Sequence, residues 1–286
     1  MRFLMILGHA HSSSTLVGIL LGASPDVTFT GEEYDFFRED ALEDYCTCGK
    51  KVGDCPFWAE VNKLLTKEVG PDFRKKMQNL HEGLNRDTIY FLGKKFPCDD
   101  ECMRILEAYY KILYQVSGTK YLLSGTKKIY YSRRVLEKIF RNHTFKYIIT
   151  VRNPFGAMAS YLRRGVSFLQ SLRIIGTFYI MAKLATLRKQ RYVVKYENWI
   201  NNPVQFFTDL SRKLNIQQPK WKIEYENNYI TIQPDKQIHI FAGNKIRKKT
   251  KHVIKEDIRW KTELSPLQKL IISTTLMPIY KILHFK

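Results

Sequence analysis

The stretch GHAHSSSTLVGILL, Gly8 to Leu21, decides the fold of this chain. The residues before it, RFLMIL (2–7), read as a buried strand, and Ser14 to Gly22 follow a helical pattern with apolar residues on one face. A glycine and a run of small hydroxyl residues join the two. A loop between a strand and a helix favours an anion, because the first amides of the helix and its dipole point at it.

This loop only partly matches a G-x-x-x-x-G-K-[ST] phosphate loop, because Ser13 and Ser14 stand where that loop has glycine and lysine. Taken alone, the pattern fits a serine-rich helix cap without a ligand equally well.

Further strands and helices alternate along the chain. Strands are predicted at Val27 to Thr30, Tyr121 to Thr126, Tyr147 to Val151 and Tyr192 to Lys195. Helices are predicted around Ser132 to Phe140, after Pro154 and after Pro203, and the apolar segments Ile174 to Leu187 and Leu270 to Leu283 read as core helices. This order predicts an α/β, P-loop-like, three-layer fold in which helices flank a central, mostly parallel sheet.

The rest of the chain is predicted to belong to the same single domain, 1–286. Residues 34 to about 118 read as a helical insertion that holds all five cysteines, and a basic C-terminal segment begins at about 235. Ligands of parallel α/β sheets bind at the carboxyl ends of the strands. The loops after Leu7, Thr30, Ser124, Val151 and Lys195 are therefore the places to search for a site.

The chain is strongly basic, with 47 Lys and Arg against 27 Asp and Glu, a net charge of +20. This charge implies an anionic partner, although general surface basicity around one small anion site is an equal alternative. No zinc finger, RNA-binding aromatic motif or Arg-rich repeat is present, so no nucleic acid partner is expected. The sequence shows no secretory signal and no membrane-spanning run, which predicts a cytoplasmic protein, with peripheral membrane contact by the basic segment as a lesser alternative.

The cysteines are Cys46, Cys48, Cys55, Cys98 and Cys102. An odd number without a secretory signal argues against a disulfide scaffold. Only one residue separates Cys46 from Cys48, whereas paired zinc ligands prefer two to four, so no metal is expected. Cys98 and Cys102 are expected to share a helix face and pack.

The inner strand ends in Arg152, directly before a helix that begins at Pro154. A guanidinium at that place suits bidentate binding of phosphate or sulfate. Ser160 and Arg164 follow on the same helix face, with simple solvation as the alternative for both. The strand does not end in the acidic residue that would hold Mg²⁺ in an ATP-using enzyme, which disfavours a kinase.

In their order, these motifs resemble those of sulfotransferases that use 3′-phosphoadenosine-5′-phosphosulfate (PAPS), in particular the bacterial type related to tyrosylprotein sulfotransferases. That family shows [RK]-S-G-[ST]-T-L, S/H-P-x-V and G-E near its start, where this chain has HSSSTL, SPDV and GEE. VRNPFGAMAS matches its 3′-phosphate motif. Later matches are CTCGKKVGDCPFW, KYENWINNP and GNKIR, so the likeness spans residues 2 to about 260.

The resemblance implies a set of cofactor-binding residues. The hydroxyl loop would hold the 5′-phosphosulfate. The arginine at the strand end and the helix after it would hold the 3′-phosphate, an aromatic side chain would lie near the nucleotide, and a basic loop would close over it. In that order these residues are Ser12, Ser13, Ser14 and Thr15; Arg152, Ser160 and Arg164; Tyr196; Arg247 and Lys248.

The resemblance also implies catalytic residues. Glu32 or Glu33 would be the general base, with a solvated strand end as the alternative, and Lys127 would face the transferring group. His11 stands where the family has arginine or lysine, so either it stabilises the bridging oxygen as a cation or hydrogen-bond donor, or Lys127 carries more of that task.

The implied reaction is in-line transfer of a sulfuryl group from PAPS to a hydroxyl or amine, without a metal. The alternatives are a P-loop-type kinase and a non-catalytic polyanion binder. The insertion and the helix that carries Phe168, Phe178, Tyr179 and Met181 are expected to shape the acceptor site. Their apolar and aromatic content is compatible with a lipid, a glycan, a peptide tyrosine or a small metabolite, and the charge of the chain favours an anionic acceptor. The sequence indicates no oligomeric state.

Overall fold

A five-stranded parallel sheet forms the centre of the molecule. The computed structural model describes residues 1–10, 12–85, 98–127, 135–187, 189–226 and 229–282. The sheet has the order β2-β3-β1-β4-β5, and each of its four pairings is parallel. Its strands are β1 (Arg2–Gly8), β2 (Val27–Phe29), β3 (Tyr121–Lys127), β4 (Thr144–Val151) and β5 (Arg191–Lys195). All five carboxyl ends therefore meet at one edge, and the predicted α/β architecture is confirmed.

Helices cover both faces of the sheet. They are α1 (Ser14–Gly22), α2 (Pro56–Val69), α3 (Phe73–Asn85), α4 (Asp100–Ser117), α5 (Glu137–Ile139), α6 (Pro154–Leu162), α7 (Phe168–Ala185), α8 (Tyr196–Trp199), α9 (Pro203–Leu214), α10 (Trp260–Glu263) and α11 (Pro266–Ile282). Successive side chains of a strand point to opposite faces. In β1, Phe3, Met5 and Leu7 pack into one apolar cluster with α2, α4, α6 and α7, and Leu4 and Ile6 into another with α1 and α9.

Several of these helices begin at a side-chain cap, and one of the caps is Ser167, which accepts the backbone N–H of Gln170 at the start of α7. Asn153 and Asn202 each accept a backbone amide of the following turn, directly before a proline at the first helical position. Asp99 does the same for α4, which ends at Gly118 in the left-handed conformation. The start of α6 is thereby fixed two residues after Arg152.

The described residues between β2 and β3 form three 3₁₀ turns followed by α2, α3 and α4. The turns span Glu33–Phe37, Ala41–Glu43 and Val52–Asp54. The side chains of this region pack into the same cluster as Phe3 and Met5. The division of the chain into one domain with an insertion and a basic C-terminal segment stays a prediction.

The structure corrects the expectation for two cysteines. Cys98 and Cys102 form a disulfide. Cys98 lies before α4 begins at Asp100, so the two residues do not share a helix face. The disulfide joins Cys98 to the first turn of α4 in place of the packing that the spacing suggested.

A second, antiparallel sheet was not predicted. It contains β6 (Trp221–Glu226), β7 (Tyr229–Pro234) and β8 (His252–Ile254) in that order. Its inner residues Ile232 and Ile254 pack into the cluster that contains α1, and Trp221 donates its indole N–H to the carbonyl oxygen of Leu20 at 3.1 Å. The sheet therefore anchors the C-terminal segment beside α1.

The two apolar segments of the second half are helices, as predicted. They correspond to α7 and α11, which pack against each other, and α11 contains Pro278. Within the described ranges, no helix has both the length and the apolar character needed to cross a bilayer. The predicted helix around Ser132 to Phe140 is represented by α5 alone, because 128–134 lie outside the described residues.

Candidate functional site

The hydroxyl loop and the end of β4 lie next to each other at the carboxyl edge of the sheet. Gly8 of β1 is in register with Thr150 of β4. The hydroxyl oxygens of Ser12 and Thr150 are 2.8 Å apart, and Thr150 donates to the carbonyl oxygen of Leu7 at 3.2 Å. These bonds tie the loop to the strand that ends beside Arg152.

Glycine is required at position 8 because the hydroxyls of Thr150 and Ser12 leave no room for a side chain. A Cβ atom at Gly8 would lie 2.3 Å from the Thr150 hydroxyl oxygen and 2.5 Å from that of Ser12. Both distances are far shorter than a van der Waals contact allows. Only glycine therefore lets the loop turn back onto β4.

The loop leads into α1 through Ser13, which has a φ of 66°. This left-handed conformation is unusual for a residue with a side chain and costs about 1–2 kcal/mol. It explains why the motif that the loop resembles has glycine at this place. Within the described part of the chain, no side chain caps α1 and no acidic residue lies in its first turn. Its first amides therefore lack a side-chain acceptor, which favours a bound anion.

The hydroxyl residues of the loop are largely enclosed. Ser12, Ser14 and Thr15 are buried, and Ser13 is half-buried. Buried hydroxyl groups beside unpaired helix amides can all donate to one phosphate group. His11 lies outside the described residues, so its predicted role stays a prediction.

Arg152 is held in place from several sides. Its side chain is 9% exposed, and its Nη2 donates to Asp257 at 3.0 Å. The guanidinium carbon lies 4.8 Å from the centre of the Tyr196 ring, and the Tyr179 hydroxyl donates to the Arg152 carbonyl oxygen at 2.5 Å. Both contacts fix the position of Arg152.

The turn after Arg152 is held by the short helix α8 that follows the next strand. The backbone N–H of Asn153 donates to a carboxylate oxygen of Glu197 at 2.8 Å. Burial raises the pKa of Glu197 above its ordinary value. Glu197 belongs to the KYEN motif after β5, so this motif braces the strand end that carries the arginine.

Asp257 accepts hydrogen bonds from three arginines. Arg163 donates at 3.1 Å and Arg259 at 2.7 and 2.8 Å, in addition to Arg152. The bonds from Arg259, followed by those from Arg152, hold the pKa of Asp257 well below its ordinary value. Three guanidinium groups therefore converge on one anionic group beside the end of β4.

The helix face next to Arg152 is shaped to receive its side chain. A Cβ atom at Gly156 would lie 2.9 Å from the Arg152 Nε atom, so the guanidinium lies along the first turn of α6. Ser160, one turn further on this face, is half-buried. Arg164 is exposed, and its neighbour Arg163 is the one that joins Arg152 around Asp257.

A cavity of about 480 Å³ opens beside this cluster and is lined by Arg152, Tyr196 and residues 255–259. The Tyr196 hydroxyl donates to the Lys255 carbonyl oxygen at 2.8 Å. An aromatic ring and a guanidinium at one wall suit a nucleotide with a phosphate group. Tyr196 thus lies next to Arg152, whereas no motif in the sequence pointed to the segment 255–259.

Arg247 and Lys248 lie elsewhere. They belong to a 3₁₀ turn, Lys245–Lys248, which contacts α1, and they line a second cavity of about 250 Å³. The two cavities share no lining residue. Arg247 donates to the Gly243 carbonyl oxygen at 2.9 Å. The structure therefore places this pair beside α1, and does not bring it to the cavity at Arg152.

The two glutamates after β2 have different surroundings. Glu32 is half-buried, accepts from the Tyr34 hydroxyl at 3.2 Å and lies close to Gly243. Glu33 is completely buried, and one of its oxygens accepts from the hydroxyls of Tyr110 and Ser124 at 2.7 and 2.5 Å.

Burial raises the pKa of Glu33 to about 7, although its hydrogen bonds act in the opposite direction. Its second oxygen, Oε2, is buried and has no hydrogen-bond partner in the described structure. A carboxylate with this pKa can accept a proton near neutral pH.

Lys127 ends β3, and its backbone is in register with Leu7 at the end of β1. Its side chain lies outside the described residues, so its predicted contact with the transferring group stays a prediction. Two residues expected to shape an acceptor site, Phe178 and Tyr179, are buried, and Phe168 and Met181 pack partly buried against the same cluster. The role of these four residues in shaping an acceptor site stays a prediction.

The structure is similar to solved sulfotransferase domains over nearly its whole length. The sulfotransferase domain from the curacin biosynthetic pathway aligns with a TM-score of 0.52 at 16% identity, covering 96% of this chain and 96% of that one. The sulfotransferase domain from the Synechococcus PCC 7002 olefin synthase aligns with a TM-score of 0.50 at 14% identity, covering 97% and 94%.

No protein-family model matches this chain, and no curated protein matches its sequence. The structural likeness confirms the predicted resemblance at the level of fold: the chain has the sulfotransferase fold.

Proposed function

We propose that this protein is a PAPS-dependent sulfotransferase that moves a sulfuryl group to a hydroxyl or amine of its acceptor. One observation carries the proposal. In a chain with the sulfotransferase fold, the hydroxyl loop before α1 and the buried Arg152 lie at the ends of adjacent strands, joined by the bond between Ser12 and Thr150. The edge thereby offers two separate places for anionic groups, as a nucleotide with a 5′ and a 3′ phosphate requires.

The residues fit such a nucleotide on chemical grounds. The uncapped amides of α1 and the hydroxyls of Ser14 and Thr15 would hold the 5′ group. Arg152 would hold the 3′-phosphate, supported by Ser160 on the same helix face, and the Tyr196 ring would contact the nucleoside. PAPS supplies an activated sulfuryl group, and the chain supplies position and hydrogen-bond donors.

Glu33 is the proposed general base. Its pKa of about 7 suits proton transfer near neutral pH, and its one partnered oxygen is fixed by Ser124 of β3 and Tyr110 of α4. With Oε1 fixed, Oε2 is the atom proposed to take the proton of the attacking hydroxyl. Glu32, beside Gly243 and Tyr34, is the control residue for this assignment.

The acceptor, which we expect to be anionic or lipid-like, stays a prediction, as do peripheral membrane contact and the absence of a nucleic acid partner.

The function is tested by comparing nucleotides in a thermal-shift assay followed by calorimetric titration. The product 3′-phosphoadenosine-5′-phosphate (PAP), AMP, ATP with Mg²⁺ and heparin are added in turn. We expect PAP to raise the Tm most, because it alone offers both phosphate groups. A larger shift with ATP and Mg²⁺ would support a kinase, and heparin binding with steep salt dependence and no response to PAP would support a polyanion binder.

A further inference from the structure

Three cysteines and a histidine from distant parts of the sequence meet in one cluster. The sulfur atoms of Cys46 and Cys55 are 3.6 Å apart. The His239 Nδ1 atom lies 3.8 Å from the Cys46 sulfur and 3.2 Å from the Cys55 sulfur. With Cys48, all four potential ligand atoms lie within 4.8 Å of one another.

The separations among the Cys46 sulfur, the Cys55 sulfur and the His239 Nδ1 atom are close to the edges of a tetrahedron around zinc. Zn–S bonds of about 2.3 Å and Zn–N bonds of about 2.0–2.1 Å place two sulfurs about 3.8 Å apart and a sulfur and a nitrogen about 3.6 Å apart. A disulfide between Cys46 and Cys55 would need its sulfurs at about 2.05 Å. The observed spacing therefore fits four ligands around one ion better than it fits a covalent bond.

The cysteine loop is built to present its sulfurs. The Cys46 amide donates to the Lys50 carbonyl oxygen, and the Gly49 amide donates to that of Cys46, both at 2.9 Å. Gly49 has a φ of +86°, which lets the loop close in this tight turn. Cys46 and Cys48 thus come from one turn, despite a separation of only one residue.

Cys55 occupies the cap position of α2. A helix N-terminus favours the thiolate form, which is the form that binds a metal ion. The position of Cys55 therefore suits a ligand.

His239 is fixed from both sides. The amide of Thr47 donates to the Ile240 carbonyl oxygen at 2.9 Å, and the amide of Ile240 donates to the Thr47 hydroxyl at 3.0 Å. The Trp58 indole donates to the His239 carbonyl oxygen at 3.0 Å, and the Phe57 ring stacks on the imidazole at 5.7 Å and 11°. The imidazole is thus oriented before any ion binds.

We propose that Cys46, Cys48, Cys55 and His239 bind one structural zinc ion, which fastens the segment 235–259 over the carboxyl edge of the sheet. Three thiolates and an imidazole in tetrahedral arrangement select zinc among common divalent ions. Four protein ligands fill its coordination sphere, so the ion has no open position for a substrate.

The segment 235–259 connects the proposed zinc site to the candidate nucleotide site. It runs from His239 past Gly243, which lies beside Glu32, to Asp257 on Arg152. Removing the ion therefore loosens the wall of the Arg152 cavity. This last step rests on the proposed function, whereas the metal site itself does not.

The test measures zinc per chain by mass spectrometry and the absorption of the cobalt(II)-substituted protein. We expect one zinc ion per chain and the charge-transfer and d–d bands of a tetrahedral cobalt–thiolate site. Cys46→Ser and His239→Ala are expected to weaken zinc binding at least tenfold, the order of loss seen even for outer-shell partners. His239→Cys, which supplies a fourth thiolate, is expected to retain the ion, and Cys102→Ser, outside the cluster, is the matched control.

Hydrogen exchange of residues 235–259 measures the second half of the proposal without any nucleotide. We expect exchange there to rise in Cys46→Ser but not in Cys102→Ser, and PAP affinity to fall in parallel.

Absence of zinc from protein purified in reducing, zinc-containing buffer, or a disulfide between Cys46 and Cys55, would overturn the metal site. Zinc binding with unchanged exchange in His239→Ala would overturn the fastening role. If zinc binds and the exchange responds, but the wild type has no affinity for PAP, the proposed function fails and the metal site stands.

Discussion

Replacing Arg152 with alanine is expected to remove most of the affinity for PAP and to leave the chain folded. Hydrogen bonds to a charged group contribute about 1.5–3 kcal/mol each. A guanidinium that donates two of them to the 3′-phosphate therefore contributes about 3–4 kcal/mol after its own desolvation. The alanine variant should bind PAP with a Kd raised by roughly 10²- to 10³-fold.

The same substitution also breaks the contact with Asp257. Removing one partner of a buried ion pair costs about 3–5 kcal/mol when the other charge is left alone. Asp257 keeps the bonds from Arg163 at 3.1 Å and from Arg259 at 2.7 and 2.8 Å. We therefore expect a smaller loss of about 1–2 kcal/mol in the free energy of unfolding, and a Tm lower by a few degrees.

Calorimetric titration of PAP into three variants measures these effects. Arg152→Lys keeps the charge but loses the planar fork, so its affinity is expected to lie between wild type and alanine. Arg212→Ala removes an exposed arginine of α9 that bonds to Asp209 one turn away, and should bind PAP like the wild type. The reasoning is refuted if a folded Arg152→Ala variant binds PAP within about threefold of wild type, a difference of less than 1 kcal/mol.

Three further substitutions test individual residues of the site. Glu33→Gln is expected to lower the rate of transfer and to remove a pH dependence of stability. Burial raises the pKa of Glu33 from 4.5 to about 7, so the folded wild type binds more protons than the unfolded chain. The free energy of unfolding of the wild type therefore falls by about 3 kcal/mol as the pH rises from 4.5 to 7. Gly8→Ala is expected to destabilise the chain by about 2 kcal/mol or more, because the new Cβ would lie 2.3 Å from the Thr150 hydroxyl. Ser13→Gly relieves a φ of 66° and should raise the stability by about 0.5–1 kcal/mol, measured by denaturant unfolding.

A specific experimental result would contradict each of these three predictions. Equal pH profiles of unfolding in Glu33→Gln and wild type would show that this carboxyl does not titrate as described, and a greater loss of rate in Glu32→Gln would move the base to Glu32. Gly53→Ala is the control for Gly8, because its Cβ would meet its nearest neighbours at 3.5 Å, an ordinary contact. A Ser13→Gly variant that is less stable than wild type would show that the serine side chain outweighs the backbone strain.

The parts of the fold with continuous apolar runs could be read from the sequence. α1 spans Ser14–Gly22 as predicted, and the predicted strands agree with β1 to β5 within a few residues, because buried parallel strands are apolar on both faces. The small sheet was not predicted. The alternation of apolar and charged residues in β6, Trp221–Glu226, is a strand signal that was missed, whereas β8 has only three residues and shows no periodic pattern.

Contacts between residues that are far apart in the sequence could not be predicted either. The sequence indicated Arg152 from its place before Pro154, but not Asp257, which lies 105 residues away. It indicated Arg164, whereas the turn at the end of α6 directs Arg163 toward Asp257. It also led to the expectation of no metal, because spacing within the cysteine loop gives no signal for His239, 184 residues beyond Cys55.

The most direct test of the central claim is a crystal structure of the complex with PAP. We expect the 5′-phosphate on the amides and hydroxyls of Ser12 to Thr15, and the 3′-phosphate within hydrogen-bond distance of the Arg152 guanidinium. A bisphosphate bound away from this edge of the sheet, or with its 3′-phosphate bound by Arg247 and Lys248 in the second cavity, would contradict it.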